Sequence, residues 1–170
     1  YGKFPDSEPG PDRMTNTMGG VLWRNRELTA SGYTAVWAAG NTRRALFDAL
    51  RRREVYASTG PRIVVRVFSG WNFSERDLNA PDMAARGYAR GVPMGGELAQ
   101  APPGASPTLM ITAAKDPNGA NLDRVQVIKG WLQAGGSPAE KVFDVAWSDD
   151  RAMDPATGKL TPVGSTVDLD

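Results

Sequence analysis

The strongest constraint on the fold is a series of short β-branched runs, separated by turn-forming segments, that fills the chain from residue 62 onward. The first run, "RIVVRVFSGW", alternates its side chains as a strand does, with Val64 and Phe68 on one face and Val65 and Val67 on the other. Five further strand candidates begin at Gly91, Thr108, Arg124, Lys141 and Gly164. The separators, such as "APPGASP" and "DPNGANLD", are rich in Pro, Gly, Asn and Asp. Without a second long helical pattern among them, these strands predict an antiparallel β-sandwich.

One amphipathic helix is predicted ahead of the strands, from Asn41 to Glu54. Asn41 is a favourable N-cap, and an apolar stripe at helical spacing follows it. The stripe consists of Ala45, Leu46, Ala49 and Leu50. We expect this stripe to pack on the strand that starts near Ile63, with "STGP" at residues 58–61 as the turn that stops the helix. Residues 75–90 have room for one more helical turn, whose length Pro81 limits.

The first 38 residues lack a regular periodicity. Residues 1–20 are rich in Pro and Gly and predict an extended or loop-like arm. Residues 21–38 predict a surface connection anchored by Trp23, Tyr33 and Trp37. The expected fold class is therefore mainly β with an N-terminal helical segment (α+β). An extended arm and helix, residues 1–60, precede a β-sandwich domain, residues 61–170.

The composition excludes several classes of site. The 170 residues contain neither histidine nor cysteine, so a Ser-His-Asp triad, a His-ligated metal centre and a thiol nucleophile are impossible within them. The net charge of +1 lacks the basic excess of proteins that bind nucleic acid through phosphates. No apolar run is long enough to span a bilayer.

Three loops contain groups that could bind a ligand or ion. Thr59 and Arg62, in and just after "STGP", could present hydroxyl, N–H and guanidinium groups to an anion. "DPNGANLD", residues 116–123, has oxygen ligands suited to calcium but not the EF-hand spacing, and a β-turn with Pro117 at its second position is the favoured interpretation. "WSDDRAMD", residues 147–154, gathers three aspartates that could hold Mg²⁺ or share a proton, although such acidic loops are usually solvated.

Tryptophans at strand ends are the remaining candidates. Trp71, Trp131 and Trp147 could form a platform for stacking sugars, although tryptophans on strands more often pack in a core or between domains.

Several ordered blocks resemble a known family. These blocks include "YTAVWAAGNTRRALFDALRRREVYASTGPRIVVRVFSGW", "GYARGVPMGGEL", "DPNGANLDRVQVIKGW", "EKVFDVAWSDDR" and "GSTVDL". Together they are similar to the C-terminal part of the large bacterial proteins grouped as domain of unknown function 3604. Their upstream portion is similar to the polymerase-and-histidinol-phosphatase (PHP) superfamily of metal-dependent phosphoesterases, whose barrel carries His and Asp ligands.

The resemblance implies that residues 1–60 are the tail of such a barrel and that a divalent metal belongs to the upstream domain. No catalytic residue, metal ligand or cofactor is expected in this chain itself. Both chain ends are expected to be cuts through a longer polypeptide, with a ligand motif of the barrel shortly before Tyr1. The expected partner is the upstream domain of the same polypeptide, not nucleic acid.

Two functions stay open from the sequence. The first is a non-catalytic accessory β-domain that braces a metal-dependent hydrolase or presents substrate to it. The second is an independent ligand-binding module, with carbohydrate as the candidate ligand.

Overall fold

A computed structural model describes residues 15–18, 21–24 and 32–167, with side chains from residue 32 onward. The strands in the described residues are β1 (Thr15–Met18), β2 (Val21–Arg24), β3 (Tyr33–Val36), β4 (Val55–Ser58), β5 (Val64–Gly70), β6 (Gly91–Pro93), β7 (Thr108–Ala114), β8 (Arg124–Leu132) and β9 (Pro138–Trp147). The helices there are α1 (Arg43–Arg51), α2 (Glu75–Leu78) and α3 (Met83–Arg90). All strand pairs in this part of the chain are antiparallel, so the fold is mainly β, as predicted.

The first strands correct the sequence prediction for residues 1–38. β1 pairs with β2 where a loop-like arm and a connection were expected. β3 pairs with β4 across the helix, with Tyr33 opposite Ser58 and Val36 opposite Val55. Local periodicity did not reveal this pairing because each of these strands has only four residues. The rest of the expected arm, including residues 1–14, lies outside the described residues.

Helix α1 is shorter than predicted at both ends. Thr42, not Asn41, is the N-cap, and its hydroxyl accepts a hydrogen bond from the Ala45 N–H at 3.2 Å. The chain leaves the helix after Arg51 because Arg53 adopts a left-handed conformation with φ of 61°. Residues 55–58 then form β4, so "STGP" ends a strand and not a helix.

The predicted apolar stripe of α1 is only partly buried. Ala49 has no exposed surface, whereas Leu50 is 50% exposed and Phe47 is 58% exposed. Ala45 and Leu46 are half-buried, so the buried face contains three of the four predicted residues. The helix packs on β3, a strand that sequence analysis missed, more than on the strand expected near Ile63. The assignment of Leu50 to the buried face is therefore wrong.

The main core lies under a three-stranded sheet with the strand order β6-β5-β7. Phe68 of β5, Met110 of β7 and Phe73 form the buried cluster, and Leu78, Met83 and Ala84 pack against it. The predicted helical segment at residues 75–90 is two short helices, since Pro81 falls between α2 and α3. Strand β6 ends at Pro93, well before the end of the run predicted from Gly91.

A long hairpin of β8 and β9 follows the sheet. The two strands pair from Arg124 opposite Trp147 to Leu132 opposite Pro138, with a bulge between Val125 and Gln126. The predicted sixth strand at Gly164 is wrong for residues 164–167, which form no regular element, and its last residues lie outside the described part. Among the described residues, no helix has the length and apolar character needed to span a bilayer.

Candidate functional site

The two residues proposed at "STGP" lie at the turn between β4 and β5. Thr59 is exposed. Arg62 is also exposed, but its N–H donates to the Asp116 carboxylate at 2.7 Å, and its guanidinium carbon lies 5.6 Å from the centre of the Tyr33 ring. Both parts of Arg62 therefore contact the chain itself, and the side chains of Thr59 and Arg62 are both accessible.

The "DPNGANLD" loop is a β-turn, as predicted. The Gly119 N–H donates to the Asp116 carbonyl at 2.9 Å. The Asp116 carboxylate accepts hydrogen bonds from the N–H groups of Arg62 and Asn118, and these bonds lower its pKa below the usual value. Thr166 donates to Asn121 at 2.9 Å, so the loop oxygens are used in contacts within the chain.

The aspartates of "WSDDRAMD" do not converge. Asp149 and Asp150 are exposed, whereas Asp154 accepts hydrogen bonds from Ala156 and Thr157, which lower its pKa. Arg151 contacts Asp123, near the start of β8, at 2.6 Å and not the neighbouring acids. Within residues 32–167 no group of three or more acidic side chains is placed to hold a metal ion.

The three candidate tryptophans do not share a platform. Trp71 is half-buried just after β5. Trp131 and Trp147 lie at opposite ends of the hairpin, opposite Ala139 and Arg124, which separates them by about 20 Å along the strands. The Trp147 indole N–H donates to the Arg151 carbonyl at 2.7 Å, so this ring anchors the following loop. Trp131, 41% exposed, is the one of the three whose position suits ligand stacking.

A polar cluster, which sequence reasoning missed, joins the helical unit to the sheet through one buried carboxylate and the half-exposed Tyr88. Glu54, just before β4, is only 2% exposed, and its carboxylate accepts a hydrogen bond from the Tyr88 hydroxyl of α3. Arg66 of β5 donates to the same hydroxyl at 3.1 Å. Burial, followed by the hydrogen bond to Glu54, raises the pKa of Tyr88 above its usual value. Tyr88 therefore stays protonated near neutral pH and links a buried anion to a cation.

Aromatic rings surround Arg66 in this cluster. Its guanidinium carbon lies 4.2 Å from the Trp37 ring centre, 5.2 Å from Phe68 and 5.5 Å from Tyr88. The Trp37 indole N–H donates to the Val65 carbonyl at 3.1 Å. The sequence signal for this cluster was one arginine inside the β-branched run. Its partners Trp37 and Tyr88 are 29 and 22 positions away, so spacing could not reveal them.

The hairpin has two faces of different character. Because side chains alternate along each strand, residues directly opposite each other share a face. The first, here called the lysine face, carries Val127, Lys129, Trp131, Ala139, Lys141 and Phe143. The second, here called the aliphatic face, carries Ile128, Gly130, Leu132, Pro138, Glu140 and Val142.

Large apolar side chains are exposed on both faces. On the aliphatic face, Leu132 is 74% exposed, Ile128 65% and Val142 47%. On the lysine face, Lys129 lies 5.5 Å from the Trp131 ring centre, and Lys141 lies 4.9 Å from that of Phe143.

An apolar groove continues the lysine face toward the three-stranded sheet. It has a volume of about 530 Å³. Its lining includes Leu109 and Ile111 of β7 and Val127, Phe143 and Val145 of the hairpin. Apolar surface therefore extends from β7 along the hairpin, and the structure brings together hydrophobic and cationic groups there that the sequence analysis had considered separately.

No curated protein and no solved structure shows significant similarity to this chain. The family described as "Protein of unknown function (DUF3604)" matches it over residues 1–170. The match covers the whole chain and agrees with the ordered blocks that carried the resemblance. The chain belongs to the DUF3604 family.

Proposed function

We propose that this chain is a non-catalytic accessory domain that braces a PHP-like, metal-dependent hydrolase domain located upstream in the same polypeptide. The observation that carries the proposal is the aliphatic face of the hairpin. Ile128 and Val142 are directly opposite each other, and Leu132 lies further along the same face, all with about half or more of their surface exposed. Exposed aliphatic side chains on one face of a strand pair, here interrupted by Gly130 and Glu140, form a surface suited to docking against another domain.

The small core also supports a bracing role. The fully buried apolar side chains of residues 32–167 are those of Ala49, Phe68, Phe73 and Met110. A domain of this size ordinarily buries a larger apolar set, because burial supplies most of the stabilisation of the folded state. Covering the aliphatic face with a second domain would add the buried area that this core lacks.

The assignment of hydrolysis to the upstream domain and of a structural role to this chain follows from their residue chemistry. PHP-like chemistry needs His and Asp ligands for divalent metal, and this chain contains no histidine. We therefore assign the metal and the hydrolysis to the upstream domain. The helical unit up to residue 60 is then the tail of the barrel, and the strands that follow form a C-terminal sandwich-like domain on it.

The test compares serine substitutions on the aliphatic face in two contexts. In the longer polypeptide that includes the upstream domain, Ile128→Ser with Leu132→Ser should lower the free energy of unfolding by about 3 kcal/mol, because two buried aliphatic groups are lost. In the 170-residue chain alone, the same change should stay within about 0.5 kcal/mol per site, because both side chains are exposed. Chemical denaturation measures both.

The matched control is Lys159→Ser, at an exposed position away from the hairpin. It should leave both proteins unchanged. Equal effects of the Ile128 and Leu132 changes in the two contexts would show that the aliphatic face is not covered by the upstream domain.

A second candidate, an independent ligand-binding module, is favoured by one specific observation. Trp131 is 41% exposed on an open strand face, and the apolar groove begins on the same face. Exposed aromatic rings of this kind can stack on the apolar face of a sugar. Saturable binding of a glycan to the 170-residue chain in calorimetric titration would support this function, and binding abolished by Trp131→Ala would locate it.

A further inference from the structure

Two lysines oppose each other on the lysine face of the hairpin. Lys129 of β8 and Lys141 of β9 are directly paired in the strand register, and both are exposed. Like charges at directly opposite positions destabilise a strand pair, since their Cβ atoms are only about 5 Å apart. No carboxylate of residues 32–167 lies within 4 Å of either ammonium group. The repulsion is therefore not offset by an ion pair in the described part of the chain.

The acids of the hairpin are on its other face. Glu140 is opposite Gly130, and Asp144 is opposite Gln126, both on the side away from the lysines. Asp144 also accepts a hydrogen bond from Gln126 at 2.8 Å and lies 3.5 Å from Arg124. The lysine face thus combines two cations with the exposed rings of Trp131 and Phe143. Neither β8 nor β9 places an acidic side chain on this face.

We propose that the lysine face binds an acidic polysaccharide, whose successive carboxylates contact Lys129, on the side of Trp131, and Lys141, on the side of Phe143. The apolar face of a neighbouring sugar ring stacks on Trp131, one position further along the same face of β8. Bound carboxylates offset the repulsion between the lysines and form charge-assisted hydrogen bonds to their ammonium groups. This inference rests on the ligand-binding candidate above and names the chemical class of its ligand.

The shape of the face favours a polysaccharide. The lysine face has six residues on two strands, which suits a narrow chain-like ligand. Its cations are also few for a nucleic acid, which usually requires a longer basic groove, and the whole chain has a net charge of only +1.

The test uses a matched pair of polymers with the same backbone and different charge. Polygalacturonate and its fully methyl-esterified form are titrated into the 170-residue chain at low salt. We expect saturable binding of the acidic form, weakening as salt is added, and at least about tenfold weaker binding of the ester.

Variants locate the site. Lys129→Gln with Lys141→Gln should weaken polygalacturonate binding by about tenfold, since two exposed ion pairs are lost. Trp131→Ala should weaken the binding of both polymers, whereas the matched control Lys159→Gln should change neither. The glutamine variant should unfold at the same or a higher denaturant concentration, because it removes a repulsive pair, so a loss of binding cannot be attributed to misfolding.

Each alternative outcome overturns the inference in a different way. Equal binding of acid and ester would contradict the role of the lysines but leave the ligand-binding candidate standing. Absence of binding by either polymer would contradict both. Tighter binding of a single-stranded oligonucleotide than of polygalacturonate would identify the lysine face as a nucleic-acid site instead. The bracing role is measured on the other face by unfolding, so it is unaffected by these results.

Discussion

Gly87 of α3 leaves space for Phe68, the largest fully buried side chain under the three-stranded sheet. A Cβ atom added at Gly87 would lie 2.6 Å from the Phe68 Cδ1 atom, closer than real Cβ contacts. The Phe68 ring is also held in an edge-on contact with Tyr88, with 5.0 Å between ring centres. The ring therefore has little freedom to move away from a new side chain.

We predict that Gly87→Ala destabilises the protein by about 1 to 3 kcal/mol through overpacking. The sign is informative because Gly→Ala inside a helix normally stabilises by up to about 1 kcal/mol. The control is Gly40→Ala, since a Cβ atom there meets nothing within 4 Å. Chemical denaturation distinguishes the two substitutions. A stabilising Gly87→Ala would show that α3 does not pack closely on β5.

Individual positions differ in how far the sequence determines them. Strand residues such as Phe68 were assignable because alternation is a local pattern. The burial of Ala49 was predicted from helical spacing, but the exposure of Leu50 was not, because the neighbour of α1 is a four-residue strand whose pairing partner, β4, follows the helix in the sequence. Which side of a helix is buried depends on that partner, and helical spacing alone predicts only that one side is apolar.

The short helices α2 and α3 are joined through one buried acid. Asp77 is only 3% exposed, and its carboxylate accepts hydrogen bonds from the backbone N–H and hydroxyl of Ser74, each at 2.9 Å. Arg90 of α3 lies 2.5 Å from the same carboxylate and Arg86 lies 3.3 Å from it. The Ser74 hydrogen bonds, more than the arginines, hold the pKa of Asp77 below its usual value.

This depressed pKa predicts how stability changes with acid. A carboxylate with a lowered folded-state pKa contributes its full stabilisation above its unfolded pKa of about 3.9, and it loses that contribution as the pH falls through the folded-state pKa. Asp77→Asn should therefore be less stable than the unsubstituted protein at pH 7, and the difference should shrink below about pH 4. Denaturation at pH 7, 4 and 3 checks this, with Asp150→Asn in an exposed loop as the control. A difference independent of pH would contradict the role of the charged form.

Among the elements, long strands with clear turns were predicted well. β7, β8 and β9 were found because each has at least seven residues and a Pro- or Gly-containing segment beside it, although β9 begins at Pro138 and not at the predicted Lys141. The lysine face required one further step, the register of the hairpin, which places Lys129 opposite Lys141. Short strands such as β3 and β6 depend on their partners for stability, so local sequence determines neither their bounds nor their pairing.

At the scale of the whole molecule, the division at residue 60 stays a prediction, but several contacts cross it. The Trp37 indole N–H donates to the Val65 carbonyl, and Tyr88 donates to Glu54. Arg53 also contacts Glu97 at 3.2 Å. The first two hydrogen bonds are partly buried. Separating the helical unit from the three-stranded sheet would therefore leave polar groups with reduced access to water as a replacement partner.

These contacts predict that the two parts unfold together. Tyr88→Phe removes the hydroxyl that donates to the buried Glu54 carboxylate and leaves Arg52, at 3.4 Å, as a remaining partner, so the loss of this hydrogen bond should cost about 0.5 to 1.5 kcal/mol. Hydrogen exchange should accordingly show lower protection in both the β3–β4 pair and the β5–β7 pair. The control, Tyr33→Phe, removes the hydroxyl of a tyrosine that is exposed to the same extent, 49%, but that donates to no buried carboxylate among the described residues, so it should stay within about 0.5 kcal/mol. If Tyr88→Phe lowered protection in only one of the pairs, the parts on either side of residue 60 would be independent folding units, because a shared buried hydrogen bond must stabilise both of the elements it joins.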